Sequence, residues 1–287
     1  MISIKGIKEW LLFSFLLLKD FLSTRQTSVF QKLRERCDDS NVYVGIHEWG
    51  GYELVRSKNV PLINSFTCGL KYQLERFNEY NGQRNINIIV TMSDVYRHKN
   101  VMYVKERCNE FVETSNEGMD FAGYAAVYEK LKDYKNAYVI LTNSSVNSQK
   151  YDFIDDYISY MNNQKDVGML GISYNSKCYQ TFIRNNFTPH LQSFFLLTTI
   201  GVLRQVVEYN KGKFPGSNIS NKRLLIREGE IKLSQIVLAL GYKLAVVQED
   251  GIYKFDNDHS KWSLKIGDGR IGVLHPNTIW AINKKGA

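Results

Sequence analysis

Between Val42 and Val247, short apolar runs of strand length alternate with segments whose apolar residues recur every three or four positions. No other feature constrains the fold as strongly. Val42–Ile46, Ile86–Met92, Ala137–Thr142, Val167–Ser173, Ser193–Thr198 and Leu244–Val247 read as strands. Ala125–Tyr134, Phe153–Met161, Ile200–Tyr209 and Leu233–Leu240 read as helices, the last stopped by Gly241. Strands separated by helices predict an α/β fold with a mostly parallel, twisted sheet flanked by helices. In such sheets ligands bind beyond the carboxyl ends of the strands.

Composition sets the outer bounds. A chain of 287 residues, 44% hydrophobic with four prolines, can bury a core. We expect an apolar and basic helical segment over 1–35 and one domain over 36–287. The net charge is +8, with basic clusters at Lys211–Lys213, Lys222–Arg227 and Lys284–Lys285. Neither a dense basic stripe nor zinc-finger spacing accompanies it, which argues against nucleic acid as a partner. Cys37, Cys68, Cys108 and Cys178 lie far apart without metal spacing, the pattern of reduced thiols. The apolar run Trp10–Leu18 follows Lys5 and Lys8; it is short of the about 20 residues a membrane span needs. It reads either as a packed helix or as one lying on a membrane surface, with Lys19 and Arg25 also near the headgroups.

The stretch Asn116–Tyr124 sits where an apolar run, Val101–Val112, hands over to a helical pattern. Asn116 and Asp120 offer polar side chains there, and Gly118 lets backbone approach a ligand. The competing reading is a helix start capped by Asn116 or Asp120. Asn143-Ser144-Ser145 and Ser173-Tyr174-Asn175-Ser176 follow the next two expected strands. Polar loops thus converge on one sheet edge.

Thr188-Pro189-His190-Leu191-Gln192-Ser193 places three polar groups before an aromatic strand, and strand alternation would set His190 and Gln192 on one face. Glu228 and Glu230 near a helix start read as surface charges or as a buried carboxylate that orients a substrate or acts as a base. Asp256-Asn257-Asp258 matches a DxD pattern but lies in a polar loop. The absence of P-loop, HExxH and GxSxG motifs excludes the usual NTPase, metalloprotease and serine-hydrolase readings.

Five motifs in order carry a family resemblance. They are Asn116-x-Gly118-x-Asp120-Phe121-x-x-Tyr124, then Ala137 through Asn143-Ser144-Ser145-Val146, then Val167 through Ser173, then His190-Leu191-Gln192-Ser193-Phe194-Phe195, then Glu230-Ile231-x-Leu233-Ser234. Over Ile86 to Val247 the chain resembles the rhamnan-synthesis-F-like bacterial polysaccharide glycosyltransferases.

The resemblance implies a GT-A-like fold and transfer of a hexose from a nucleotide-sugar donor to a lipid-linked glycan of O-antigen or capsule type. The basic surface and the N-terminal apolar segment suit a cytoplasmic location, peripheral on the inner-membrane face. Carried over by motif, Asp120, Glu230 and His190 are candidate catalytic residues, and Asn116, Gly118, Asn143, Ser144, Gln192 and Ser193 candidate substrate contacts. Asn143 and Ser144 fall where metal-dependent relatives carry an Asp, so a divalent cation, Mn²⁺ or Mg²⁺, stays open as a cofactor and no metal ligand is assigned. Arg184, Lys222, Arg223, Arg227 and Arg270 are the cations that would replace it at a diphosphate. Two alternatives stand beside this reading: an inactive nucleotide-sugar or glycan-binding module, and a glycoside hydrolase using Asp120 and Glu230.

Overall fold

The computed structural model describes residues 4–22, 31–60, 63–177, 187–256 and 276–282. In chain order the elements are α1 (Ile4–Leu22), β1 (Asp38–Trp49), β2 (Arg56–Val60), β3 (Ile63–Cys68), α2 (Leu70–Asn78), β4 (Asn85–Ser93), α3 (Val101–Lys105), β5 (Glu110–Thr114) and α4 (Asp120–Leu131). There follow β6 (Ala137–Asn143), α5 (Ile154–Asn163), β7 (Val167–Gly171), β8 (Tyr174–Lys177), β9 (Phe187–Leu191), β10 (Phe195–Thr199) and α6 (Ile200–Tyr209). The last are α7 (Lys222–Leu225), a π-helical turn over Ile226–Ile231, α8 (Lys232–Ala239), β11 (Lys243–Gln248) and β12 (Gly251–Phe255).

Eight strands form one sheet in the order β12-β11-β7-β10-β6-β1-β4-β5. Strand β1 pairs parallel with β4 and β6, β4 with β5, and β7 with β11. All seven residues of β6 are buried, because both faces of the sheet are covered. One face packs under α4, α6 and α8, with Tyr124, Val127, Ile200, Leu203, Leu233 and Val237 in its core. The other packs under α2 and α5 through Leu70, Leu74, Phe77, Tyr157, Ile158 and Met161. The α/β expectation holds, with a mostly parallel central sheet flanked by helices.

Strand β10 departs from the parallel pattern, running antiparallel to both β6 and β7. This reversal matters for the site. The residues before β10, Gln192 and Ser193, arrive at the same edge as the carboxyl ends of the parallel strands. Two ribbons, β2–β3 and β8–β9, stand outside the sheet.

Helix boundaries differ from those expected. The run Val101–Val112 divides into α3 and β5, and the helix expected from Ala125 begins at Asp120. Its N-cap is Met119, at φ 46°, and no side chain caps it. Asn116 and Asp120 are therefore not caps, which frees the Asp120 carboxylate for other partners. The helix expected from Leu233 starts earlier still, at Lys222, and passes through the π turn that carries Glu230.

The amino-terminal helix α1 rests on the domain through a narrow face. Glu9 accepts hydrogen bonds from the backbone N–H of Ser220 and Asn221, and Phe13 is buried. Lys5 forms an ion pair with Glu117, inside the Asn116–Tyr124 motif. Further along, Arg34 donates to the carbonyl of Val167 and to that of Met161, tying the connecting segment to the sheet.

Candidate functional site

Side chains from five elements meet at the carboxyl edge of the parallel strands. Asn143, at the end of β6, donates from Nδ2 to Asp120 Oδ2 at 2.7 Å, while its Oδ1 accepts from the Ser145 N–H. Tyr124, one turn along α4 from Asp120, donates to the Ser193 carbonyl at 2.6 Å. Ser193 in turn gives Glu230 Oε2 two hydrogen bonds, from N–H at 3.0 Å and from Oγ at 2.8 Å. His190 Nε2 lies 3.3 Å from Glu230 Oε1. Ser173 Oγ donates to Gln192 Oε1. The five motifs of the sequence are thus joined by side-chain contacts.

Placement revises several expectations. Gly118 adopts φ +90°, and a Cβ there would lie 2.3 Å from the Ser217 carbonyl oxygen, so the space beside it is filled by the chain itself. Its N–H bonds the Ile219 carbonyl. A glycine is required here for packing, not for ligand approach. Asn116 is exposed and reaches Asp94 and Ser93. His190 and Gln192 do not act as a pair on one strand face: β9 ends at Leu191, and the two side chains take different partners. Glu230 sits in the π turn with its side chain only 15% exposed, which removes the surface reading, whereas Glu228 pairs with Arg227 and Lys232.

Of the proposed cations, Lys222 and Arg223 lie exposed on α7, against α1, and Arg227 is engaged by Glu228. Arg184, Arg270 and the Asn257–Asp258 part of the DxD pattern lie outside the described residues.

Two residues that sequence reasoning passed over complete the site. Glu48, near the end of β1, is 1% exposed; its Oε1 accepts from Ser144 Oγ at 2.8 Å and from the Trp49 N–H. Its Oε2 is buried and has no partner among the described residues. Arg56, first residue of β2, donates to Ser144 Oγ at 3.0 and 3.2 Å and to Ser145 Oγ at 3.2 Å, and stacks 3.8 Å over the Tyr52 ring. The signal available in sequence was a His47-Glu48 pair interrupting an apolar strand, and an Arg56-x-Lys58 alternation soon after.

The carboxylates are held in different states. Burial pushes Glu48 up to about 7 against the pull of Arg56, Ser144 and the Trp49 N–H, with Asp120 adding to the rise. Burial likewise pushes Asp120 up to about 6, with Glu230 adding to it and Asn143, Lys58 and Arg56 opposing. Burial acts upward on Glu230 too, but hydrogen bonds from His190 and Ser193 outweigh it and hold that group below the usual carboxylate range. Divergent environments for neighbouring carboxyls are what acid–base chemistry needs.

The site belongs to an α/β protein with polar loops gathered at the carboxyl edge of its sheet. The pattern described as rhamnan synthesis protein F matches residues 87–266, and the chain belongs to that family, one of polysaccharide synthesis. No curated protein matches. Among solved structures, CMP:2-keto-3-deoxy-manno-octonic acid synthetase complexed with CTP is similar at 12% identity and TM-score 0.43, over 73% of this chain and 90% of that one. A likeness that remote carries no argument about this site.

Proposed function

We propose that the chain is a hexosyltransferase of GT-A-like fold that moves a sugar from a nucleotide-sugar donor to a growing lipid-linked glycan, of the O-antigen or capsule kind. The observation that carries this reading is the Asp120–Asn143 contact at 2.7 Å, beside Glu48 and Arg56, in a chain of a polysaccharide-synthesis family. Asp120 is the candidate base: its carboxyl is raised toward neutrality, yet at neutral pH it is mostly ionised and able to take the proton of an acceptor hydroxyl. Glu230 and His190, fixed by Ser193, form a polar wall that orients sugar hydroxyls, with Gln192 beside it. Asn116 and Asp94 stand at the adjoining strand end, toward the nucleoside.

Helix α1 supports a lipid-linked acceptor. Away from its contacts at Glu9 and Phe13, it exposes Ile4 (76%), Trp10 (59%), Phe15 (63%) and Leu18 (58%). Lys8 on the same helix and Lys222 and Arg223 on the adjoining α7 are exposed. No helix among the described residues is long and apolar enough to cross a membrane. Such a helix lies in the plane of an anionic membrane surface. We read the protein as peripheral on the cytoplasmic face, with the cleft beside the membrane, since Lys5 of α1 pairs with Glu117 of the motif.

The test is to incubate the purified chain with UDP-, GDP- and dTDP-hexoses and bacterial membrane lipids. Release of the nucleoside diphosphate and sugar incorporation into the lipid fraction are followed together. Nucleotide-sugar binding with neither release nor incorporation would sink the transferase reading in favour of a binding module.

A further inference from the structure

A divalent cation at the diphosphate would sit at the Asn143-Ser144-Ser145 turn, where related transferases carry an Asp. The residues present do not fit one. Such ions take anionic, hard oxygen ligands, but the Ser144 and Ser145 hydroxyls accept from the Arg56 guanidinium, and Asn143 is divided between Asp120 and the Ser145 N–H. Among the described residues no group of three or more His, Cys, Asp or Glu can hold a metal. A fixed positive charge already occupies the turn.

The geometry points to Arg56, assisted by Lys58, as the cationic centre that receives the diphosphate of a nucleotide donor at this turn. The inference rests on the transferase reading and adds the group that stabilises the leaving diphosphate. Three observations carry it. First, Arg56 is oriented by neutral hydroxyls, which position the guanidinium without neutralising it, and it is stacked on Tyr52. Its nearest carboxylate oxygen, on Glu48, is 4.0 Å away, at the outer limit of an ion pair. Second, the side chain is only 16% exposed, so its charge is screened less than that of a surface arginine. Third, Lys58 stands two residues along β2, hence on the same strand face, and both charges act on the Asp120 carboxyl. A guanidinium fork matches paired phosphate oxygens, and a second ammonium adds a point charge. Glu48, Asp120 and Glu230 oppose an incoming anion, and Glu48, raised to about 7, reduces that opposition by taking up a proton.

Both basic residues precede the family-matched span 87–266, so the likeness does not supply them. The cation is delivered by a hairpin outside the sheet, whereas the hydroxyls that orient it come from the sheet edge.

Isothermal titration calorimetry on the full chain decides the matter, using UDP, GDP and dTDP in turn, each with EDTA and with Mn²⁺. We expect one of them to bind with an affinity that differs by less than about 3-fold between the two conditions. Arg56→Gln should weaken it by about 30-fold in both, and Lys58→Gln by about 5-fold, in line with lost charge-assisted hydrogen bonds. Arg56→Lys should fall between wild type and Arg56→Gln. Circular dichroism melts confirm that each variant is folded, and if Arg56→Gln is not, Arg56→Lys, Lys58→Gln and the EDTA comparison still decide. Binding that requires Mn²⁺, or that is unchanged in the folded variants, overturns this inference and leaves the transferase reading standing. Binding of no nucleoside diphosphate under either condition overturns both.

Discussion

Glu230 and Glu48 both lie near Asp120, but they receive different numbers of donors. Glu230 takes the Ser193 N–H, the Ser193 hydroxyl and His190, so both of its oxygens are engaged. Glu48 has one oxygen served by Ser144 and the Trp49 N–H and the other buried without a partner among the described residues. Burial raises the cost of charge on both. Donors reverse that cost at Glu230 and only partly offset it at Glu48, and so one carboxyl lies below its usual range and the other rises to about 7. The count of donors, rather than depth, separates a group that fastens the wall from groups poised to exchange protons. Asp120, with the Asn143 hydrogen bond and a raised carboxyl, falls on the Glu48 side.

The largest effect that would break this division lies at Asp120. Asp120→Asn removes the proposed base while an amide still fits beside Asn143. We expect turnover to fall by ~10²–10⁴-fold, the usual range for a general base, with nucleotide affinity changed by no more than about 3-fold. Initial-rate kinetics alongside calorimetry check it. A full loss at Glu230→Gln with Asp120→Asn retaining activity would exchange the two roles.

Glu230→Gln should act on the fold. A glutamine has one acceptor oxygen where the carboxylate has two, so some of the Ser193 and His190 donors lose their partner in a buried place. The expected cost is roughly 2–4 kcal/mol, measured by urea unfolding at pH 7. The sign with pH follows from the lowered carboxyl. Its stabilisation is present above the usual carboxylate range and is lost as pH falls through the folded-state value. The gap between wild type and variant should therefore close in acid.

Glu48→Gln should show the opposite dependence. A carboxyl raised to about 7 favours folding while protonated, and that advantage is lost as pH rises from the unfolded range through 7. Relative to wild type, the neutral variant should be more stable at pH 8 by roughly 2–3 kcal/mol, with the difference shrinking toward pH 5. Urea midpoints across that range decide it. A variant that is less stable at pH 8 than wild type would show that Glu48 is paired and ionised.

How much of this was legible in the sequence depends on where each residue sits. Asp120, Asn143, Ser193 and Glu230 could be read because each adjoins a strong periodic segment, and the convergence of strand ends brings such residues together. The connection through Ser193 needed the reversal of β10, which no period-two pattern reveals. Glu48 escaped because the apolar run closes at Ile46, whereas β1 continues to Trp49 by pairing His47, Glu48 and Trp49 with Thr91, Met92 and Ser93. Strand ends of that kind are set by the partner, not by local propensity. Arg56 was one basic residue among 37. Its importance comes from where an off-sheet hairpin is laid down, a tertiary matter. The π turn at Glu230 is likewise invisible to helical periodicity, though it aims the carboxylate inward at Ser193.

The smallest effect is also the most selective. Tyr124 does not touch Glu230; it donates to the Ser193 carbonyl at 2.6 Å and so holds the residue whose N–H and hydroxyl serve Glu230. Tyr124→Phe keeps the ring in its buried place and removes one hydrogen bond, at a cost of about 1 kcal/mol by urea unfolding. If donors are what keep Glu230 ionised, loosening Ser193 should also raise its carboxyl. The acid-side loss of stability should then be smaller in the variant than in wild type and complete at a higher pH, while the Glu48 window near neutrality stays put. A uniform offset across pH would mean that Ser193 is positioned without Tyr124, and the contrast between the two carboxylates would rest on His190 and the Ser193 contacts alone.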